Sequence, residues 1–320
     1  MKRALKEFSQ EDTVRWFESA GVPLVLQEDH CWFPVSQNAM DVVRCLERGM
    51  SRAHLRLNSP VTSVIPGVTG YLINGEPYDI VVITTGGAVR GIPFLNDTAI
   101  VPPVPSLFTF KIEDKSLRSL MGIVVKASLS IPGAGFKASG PLLVTDWGLS
   151  GPATLKLSSY AARYLAESGY KAPLAVNWMG LREDEVRGVL QENIGTNPQK
   201  QVRSTHILPA RLWEHIVRRS GLREDIRWAE LGTKGLNKLA ATITSDNYII
   251  EGKSKFREEF VTCGGVSLEE VSLSSLESKK HPGLYFAGEV LDIDAITGGF
   301  NLQAAWSTGY IVAKSIVKSL

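Results

Sequence analysis

The sequence is poor in the residues that mark a disulfide scaffold or a metal centre. Cys31, Cys45 and Cys263 are the only thiols among 320 residues, and none belongs to a CxxC pair. This excludes a disulfide framework and a cysteine zinc site, and it suits a reducing cytoplasm. His30, His54, His206, His215 and His281 are dispersed, with no metal-ligand spacing. No apolar run approaches the ~18–20 residues of a membrane span. The opening "MKRALKEFSQEDTVRWF" alternates charged and apolar residues at helical spacing and has no signal-peptide core. A net charge of +2 offers no basic field for nucleic acid. A GxGxxG fingerprint is also missing. "GAGFKASG" from Gly133 has the wrong final spacing and precedes a strand rather than following one. The expectation is a soluble cytoplasmic protein acting on a small molecule, without nucleic-acid or membrane partners. Nothing in the sequence sets an oligomeric state.

The composition, 44% hydrophobic and 21% charged, belongs to an ordinary globular chain, and the length allows two domains. A first helix is expected over Gln10–Ser19, stopping at Gly21. "VPLVLQED" follows as a strand. A second helix, "AMDVVRCLERGM", is capped by Asn38 or Ser36 and carries an apolar stripe of Met40, Val43 and Cys45–Leu46. "HLRLNSPVTSVI" and "GYLING" read as a small β-meander. "YDIVVITTGG" is a β-branched run without polar alternation, expected to be covered on both faces as in a parallel sheet.

"VPPVPSLFTFKI" is too rigid for a helix and suits a crossing between domains. Strand-like pieces come next, interrupted by a helix with Pro152 in its first turn and Ser150 as the expected cap. The pattern then turns helical and charged from Arg182 to Ser245. Arg218 and Arg219, balanced by Glu224 and Asp225, read as a solvated face. Trp147 and Trp306 read as core aromatics.

The C-terminal "GLYFAGEVLDIDAITGGFNLQAAW", from Gly283, holds the strongest chemical signal. A buried strand is followed by Glu289 and Asp292 beyond its carboxyl end, where ligands of open α/β sheets sit. Gly298 and Gly299 then allow close backbone approach, and a firmly patterned helix begins near Asn301. Its free N–H groups and dipole favour an anion or an electron-rich group. The two carboxylates suit the hydroxyls of a ribityl chain or ribose. Gly86–Gly87 and Gly264–Gly265 are two further glycine pairs, each weak alone.

"TTGG", "VPPVPSLFTF", "WGLSGPATLKLS", "VTCGGVSLEEV" and "GLYFAGEVLDIDAITGGFNLQAAWSTGYIVAK" together resemble the BaiN/YhiN-type NAD(P)/FAD-dependent oxidoreductases, with aminoacetone-oxidase-like proteins similar. The resemblance covers essentially the whole chain. It implies an α/β fold, a Rossmann-like FAD/NAD(P)-binding domain interrupted by a β-barrel-like and helical insertion. The expected flavin domain is residues 1–106 with 253–320, and the insertion is 107–252, β-rich over 107–181 and mostly helical over 182–252. The resemblance places Gly288, Glu289 and Asp292 along the ribityl–pyrophosphate of FAD. It places Gly298, Gly299, Asn301, Leu302 and Gln303 at the pyrimidine side of the isoalloxazine, with Gly86 and Gly87 flanking the cofactor. NAD(P) has no fingerprint of its own, and no catalytic residue is legible.

Relatives of that type open with a strand–GxGxxG–helix unit, which this sequence lacks. "IVVITT" and "LYFAG" are therefore expected to flank a gap with exposed apolar edges. "GGAVRGIPFLNDTAIVPP" is shorter than its counterpart, and Ala295 stands where a glycine is common. Two readings follow: an FAD-dependent oxidoreductase, or a truncated or degenerate relative that binds no flavin and is inactive alone.

Overall fold

Helix α1 (Lys2–Glu7), which the sequence reading did not anticipate, precedes α2 (Gln10–Ser19). Ser9 opens α2 with a reciprocal box: its Oγ accepts from the Asp12 N–H, and the Asp12 carboxylate accepts from the Ser9 N–H at 2.8 Å. The computed structural model describes residues 1–87, 97–253 and 261–319. Most of "GGAVRGIPFLND" and the start of "FREEFVTCGG" lie outside them. The chain divides into two units, Met1–Val104 with Val261–Leu320, and Pro105–Phe260.

In the first unit, β1 (Leu24–Leu26) and β2 (Trp32–Pro34) form a hairpin before α3 (Ala39–Gly49), whose cap is Asn38. The apolar stripe expected on α3 buries only Cys45; Met40, Val43 and Leu46 stay exposed. β3 (Val64–Pro66), β4 (Tyr71–Ile73) and β5 (Glu76–Tyr78) make the expected antiparallel meander. β6 (Val81–Ile83) buries Val81 and Ile83 but leaves Val82 38% exposed, so one of its faces is partly open, contrary to the two-sided reading. β7 (Ile100–Ser106) contains the proline run, which a two-stranded pairing tolerates.

The second unit is built on an antiparallel sheet. Its elements in chain order are β8 (Phe110–Lys111), α4 (Lys115–Arg118), β9 (Val124–Ser130), β10 (Lys137–Val144), β11 (Gly148–Ser150), α5 (Pro152–Tyr160), α6 (Ala162–Glu167), β12 (Ala172–Asn177), α7 (Glu183–Thr196), α8 (Ala210–Arg219), α9 (Gly232–Thr244), β13 (Asp246–Ile250) and β14 (Gly252–Lys253). The strand order is β13-β12-β9-β10-β11-β8-β14, so its two edges are consecutive in the chain. Only Glu251 separates them, and its N–H donates to Lys111 O at 2.9 Å. The sheet thus closes on itself as a barrel. The N-cap of α5 is Gly151, not Ser150, whose side chain makes no cap; Thr154 Oγ1 donates to the Ser150 carbonyl instead.

The first unit resumes with β15 (Val261–Val266), paired with β7, then β16 (Leu284–Phe286) and α10 (Phe300–Ser319). β16 pairs directly and in parallel with β6, in the register Leu284↔Val81, Tyr285↔Val82 and Phe286↔Ile83. The expected gap between these strands is absent, because each satisfies the other's edge. Among the described residues no helix is long and apolar enough to cross a membrane.

Arg218 and Arg219 are exposed, in line with the solvated-face reading, but Arg219 finds its partners elsewhere than Glu224 and Asp225. Its Nε donates to Asp246 Oδ1 at 2.7 Å, it pairs with Asp114, and its guanidinium lies 4.5 Å from the Tyr248 ring centroid. Asp246, 3% exposed, also accepts from Trp178 Nε1 and from the Tyr248 hydroxyl. Burial, then Asp246, pushes the Tyr248 phenol up, so its proton stays on that bond. His215 Nε2 lies 3.1 Å from the same hydroxyl, and burial holds its imidazole below the ordinary value. Removing Asp246 takes the acceptor away from two buried donors, Trp178 Nε1 and the Tyr248 hydroxyl, while Arg219 keeps Asp114. Asp246→Ala is expected to cost about 2–4 kcal/mol in urea unfolding of the full chain. His215 binds a proton less readily folded than unfolded. Its share of stability is therefore complete above the ordinary imidazole range near ~6.5 and is lost as pH falls below it. His215→Gln is expected to remove that part of the pH dependence of the unfolding midpoint.

Candidate functional site

The carboxyl ends of β6 and β16 meet where the Ala287 N–H donates to Ile83 O at 3.1 Å. The chain then makes a 3-10 turn over Gly288–Val290. Gly288 has φ +76, and its N–H donates to Thr308 Oγ1 on α10 at 2.9 Å. Glu289 is committed to the protein: its Oε1 accepts from the Thr262 N–H at 2.7 Å. Gly87 closes the same corner. A Cβ there would stand 2.2 Å from Thr262 Oγ1 and 2.9 Å from Glu289 Oε1. Gly86 lies beside it at φ +75, with no atom of the described residues within 4 Å of a Cβ built on it. Asp292 is half-buried, and its N–H donates to Val266 O at 2.9 Å.

The loop from Ala295 to Asn301 leads into α10. Asn301 Oδ1 accepts from the Ala295 N–H and Nδ2 donates to the Ala295 carbonyl, both at 2.9 Å. Gly298 (φ +126) and Gly299 (φ +81) make the turn, and a Cβ on Gly299 would meet nothing within 4 Å. The first intrahelical bond of α10 runs from Gln303 N to Gly299 O, so the N–H groups of Phe300, Asn301 and Leu302 precede the ladder. Gly299 has no side chain with which to cap them. Phe300 and Leu302, 54% and 59% exposed, flank this opening. The Gln303 side chain points to the protein, accepting from Thr13 Oγ1 at 3.0 Å and donating to Ser307 Oγ at 3.1 Å.

The structure thus brings Gly86, Gly87, Gly288 and Glu289 to one strand-end corner, and Gly298, Gly299, Asn301 and Leu302 to the start of α10. Sequence reasoning missed two neighbours from the N-terminal segment. Thr13 holds Gln303, and Cys31 Sγ lies 3.7 Å from the Gly298 carbonyl. Burial, then Asp29, pushes the Cys31 thiol up, so it stays protonated at neutral pH. Only the three-dimensional hairpin places it there. Trp306 packs edge-on against Phe17 at 5.1 Å, in keeping with a core role.

A 20-residue helix whose first N–H groups take no side-chain cap among the described residues, an open glycine and two half-exposed apolar side chains offer donors to the polar edge of a flat ring and contact to its face. The isoalloxazine end of a flavin fits this donor set. A metal does not: no group of three or more His, Cys, Asp or Glu side chains that could hold an ion occurs among the described residues. A cleft of about 360 Å³ in the second unit, lined by Arg203, His206, Glu214 and Arg218 among others, mixes charges of both signs. It offers no single chemistry to a ligand.

The family profile "HI0933-like protein Rossmann domain" matches residues 1–315. "Ribosomal RNA dihydrouridine synthase" of Escherichia coli (strain K12) is 29% identical over 339 residues, covering 99% of this chain and 81% of that protein. "3-dehydro-bile acid delta(4,6)-reductase" of Clostridium scindens is 26% identical, covering 98% of this chain and 82% of that protein. A second "Ribosomal RNA dihydrouridine synthase", from Haemophilus influenzae, is 30% identical over 68% of this chain and 52% of its own length.

The corner at Gly87 gives a direct test of this packing. Gly87→Ala is expected to part Thr262 from Glu289 and to destabilise the chain by about 1–3 kcal/mol in urea unfolding. Thr262→Ala in the same background, which removes the struck hydroxyl, is expected to restore part of that loss.

Proposed function

The chain belongs to the HI0933-like Rossmann-domain family, and from that premise we propose that it is an FAD-dependent oxidoreductase. We propose further that it reduces a carbon–carbon double bond conjugated to a carbonyl in a small organic substrate. The observation that carries the reading is the uncapped start of α10 between Phe300 and Leu302. The relatives' names support the reaction class. Dihydrouridine is uridine with its ring C=C saturated beside a carbonyl, and a Δ4,6-reductase of a 3-keto bile acid acts on double bonds conjugated to that ketone. Both reactions add a hydride at an electron-poor carbon of the conjugated system, the β-carbon or, for a Δ6 bond, its vinylogous δ-carbon, and a proton at a carbon nearer the carbonyl.

Bound flavin would supply the two-electron reductant. The chain's part is to hold and tune it. The N–H groups and dipole of α10 would face the pyrimidine edge, where reduction leaves negative charge. Phe300 and Leu302 would pack beside the ring, and Gly86, Gly87 and Gly288 would let the cofactor run close to the backbone. Cys31, holding its proton on Sγ, adds no negative charge beside that edge. Glu289 and Asp292 would lie toward the ribityl chain, Glu289 with the oxygen not given to Thr262. A net charge of +2 favours a small substrate over a polynucleotide.

The test is the purified chain with added FAD, chemically reduced under argon and mixed with 2-cyclohexen-1-one, a 3-keto-4-ene steroid, uridine or a ribosomal RNA transcript. Reoxidation of bound flavin by an enone, with the saturated ketone as product, is the expected result. Failure to take up FAD would favour the reading of a relative that binds no flavin. Flavin uptake without reoxidation by any acceptor would sink the reductase reading, and reoxidation by the transcript alone would replace the small substrate with RNA. Parallel runs with NADH and NADPH identify the electron source.

A further inference from the structure

We propose that the Asn301 side chain is a positioning residue, an amide clasp that sets the shape of the loop presenting the start of α10 to the flavin. The proposal rests on the flavin reading above and goes beyond it. That reading assigns Asn301 only as part of the helix start, whereas the structure gives its side chain a separate task.

An Asn or Ser at a helix start ordinarily caps the helix's own N–H groups. Asn301 reaches backward instead. Its amide takes the N–H and the carbonyl of Ala295 together, both at 2.9 Å, across six residues. One side chain thereby satisfies both backbone groups of another residue, much as a strand partner would. The loop it closes needs such a clasp. It contains Gly298 at φ +126 and Gly299 at φ +81, conformations with high freedom in the unfolded chain and little local preference. Gly298, Gly299 and Phe300 are exposed, so packing does not fix them.

The consequence for the site is indirect but specific. Because the Asn301 amide is spent on Ala295, no side-chain oxygen of Asn301 competes for the α10 N–H groups. Those donors stay available to a ligand while the loop before them is held still. Asp or Ser could serve only half of the clasp. Asp can accept from the Ala295 N–H but cannot donate to its carbonyl, and Ser is too short to span both. Asn and Gln carry an adjacent donor and acceptor on one planar amide, matching the N–H and C=O of a single residue, and Gln adds a methylene that the present spacing does not accommodate without shifting the loop.

The experiment compares the wild-type chain with Asn301→Ala and Asn301→Asp by amide hydrogen exchange without cofactor, and by titration with FAD followed through flavin fluorescence. Asn301→Ala is expected to speed exchange of the peptide containing Ala295 and to weaken FAD binding about five- to tenfold, with unchanged protection in β16. Asn301→Asp is expected to keep part of the protection. Its negative charge at the helix start should also lower the midpoint potential of bound flavin relative to wild type. Unchanged exchange at Ala295 in Asn301→Ala would overturn the clasp. Faster exchange with wild-type FAD affinity would overturn the positioning role. Absence of FAD uptake by the wild-type chain would bring down the flavin reading and this inference with it, an outcome distinct from either of the others.

Discussion

At Gly264 and Gly265 the backbone of β15 lies closer to its neighbours than any side chain would permit. A Cβ on Gly264 would stand 2.7 Å from Pro102 O, and one on Gly265 would stand 2.5 Å from Val290 O. Both residues have positive φ, +112 and +143, so an L-residue would also be strained there. Peptide-to-peptide contact on both sides of β15 holds β7 against one flank and the turn after β16 against the other. Glu289 and Gly87 inherit their places from that contact, since both meet Thr262 at the head of the same strand. A pair that carries little weight alone in the sequence is thus one on which the geometry of the corner depends.

What could be read in advance was whatever is encoded locally. The bounds of α2, the Asn38 cap and the meander follow from periodicity, capping residues and turn residues. The strand–turn–helix at the C-terminus was legible for the same reason, and its glycine turn falls where the pattern put it. Long-range partners were not legible. Arg219 looked like a solvated charge because Glu224 and Asp225 are near in sequence. Its actual partners are Asp114, at the start of α4, and Asp246, the first residue of β13, 105 and 27 residues away in sequence. Likewise Gln303, expected to present its backbone N–H to the ring, gives that N–H to the Gly299 carbonyl, and Thr13, nearly three hundred residues earlier, donates to its side-chain oxygen. The α3 stripe shows the opposite limit. Amphipathic spacing reported a face able to be buried, and the structure leaves most of it in contact with solvent.

The candidate site combines rigid and permissive parts. α10 is stapled along its length by the N-terminal helices through the Phe8–Tyr310 stack at 4.8 Å, the Lys314–Glu7 ion pair and the Ser307 hydroxyl on the Phe8 carbonyl. These contacts fix the direction of the helix axis, and with it the direction of the dipole. Gly299 ahead of the helix has no described atom within 4 Å of a Cβ built on it, which leaves room for a ring to approach the N–H groups, while Gly298 lies against the Phe300 ring. A site that stabilises charge developing on a bound group needs both: oriented donors that do not reorganise, and access without steric cost.

The parallel pairing of β6 with β16 has a bearing on how the chain acquires its structure during synthesis. Val82 and Tyr285, which face each other across that pair, are about two hundred residues apart in the chain. The barrel unit between them is continuous in sequence, so all of its partners emerge before β16 does. Closing so long a loop carries a large entropic barrier for an unstructured chain. A barrel already folded replaces most of that loop with a rigid body, leaving β6 to find β16 across a far shorter effective distance. The order of translation therefore favours the inserted unit folding before β16 reaches β6.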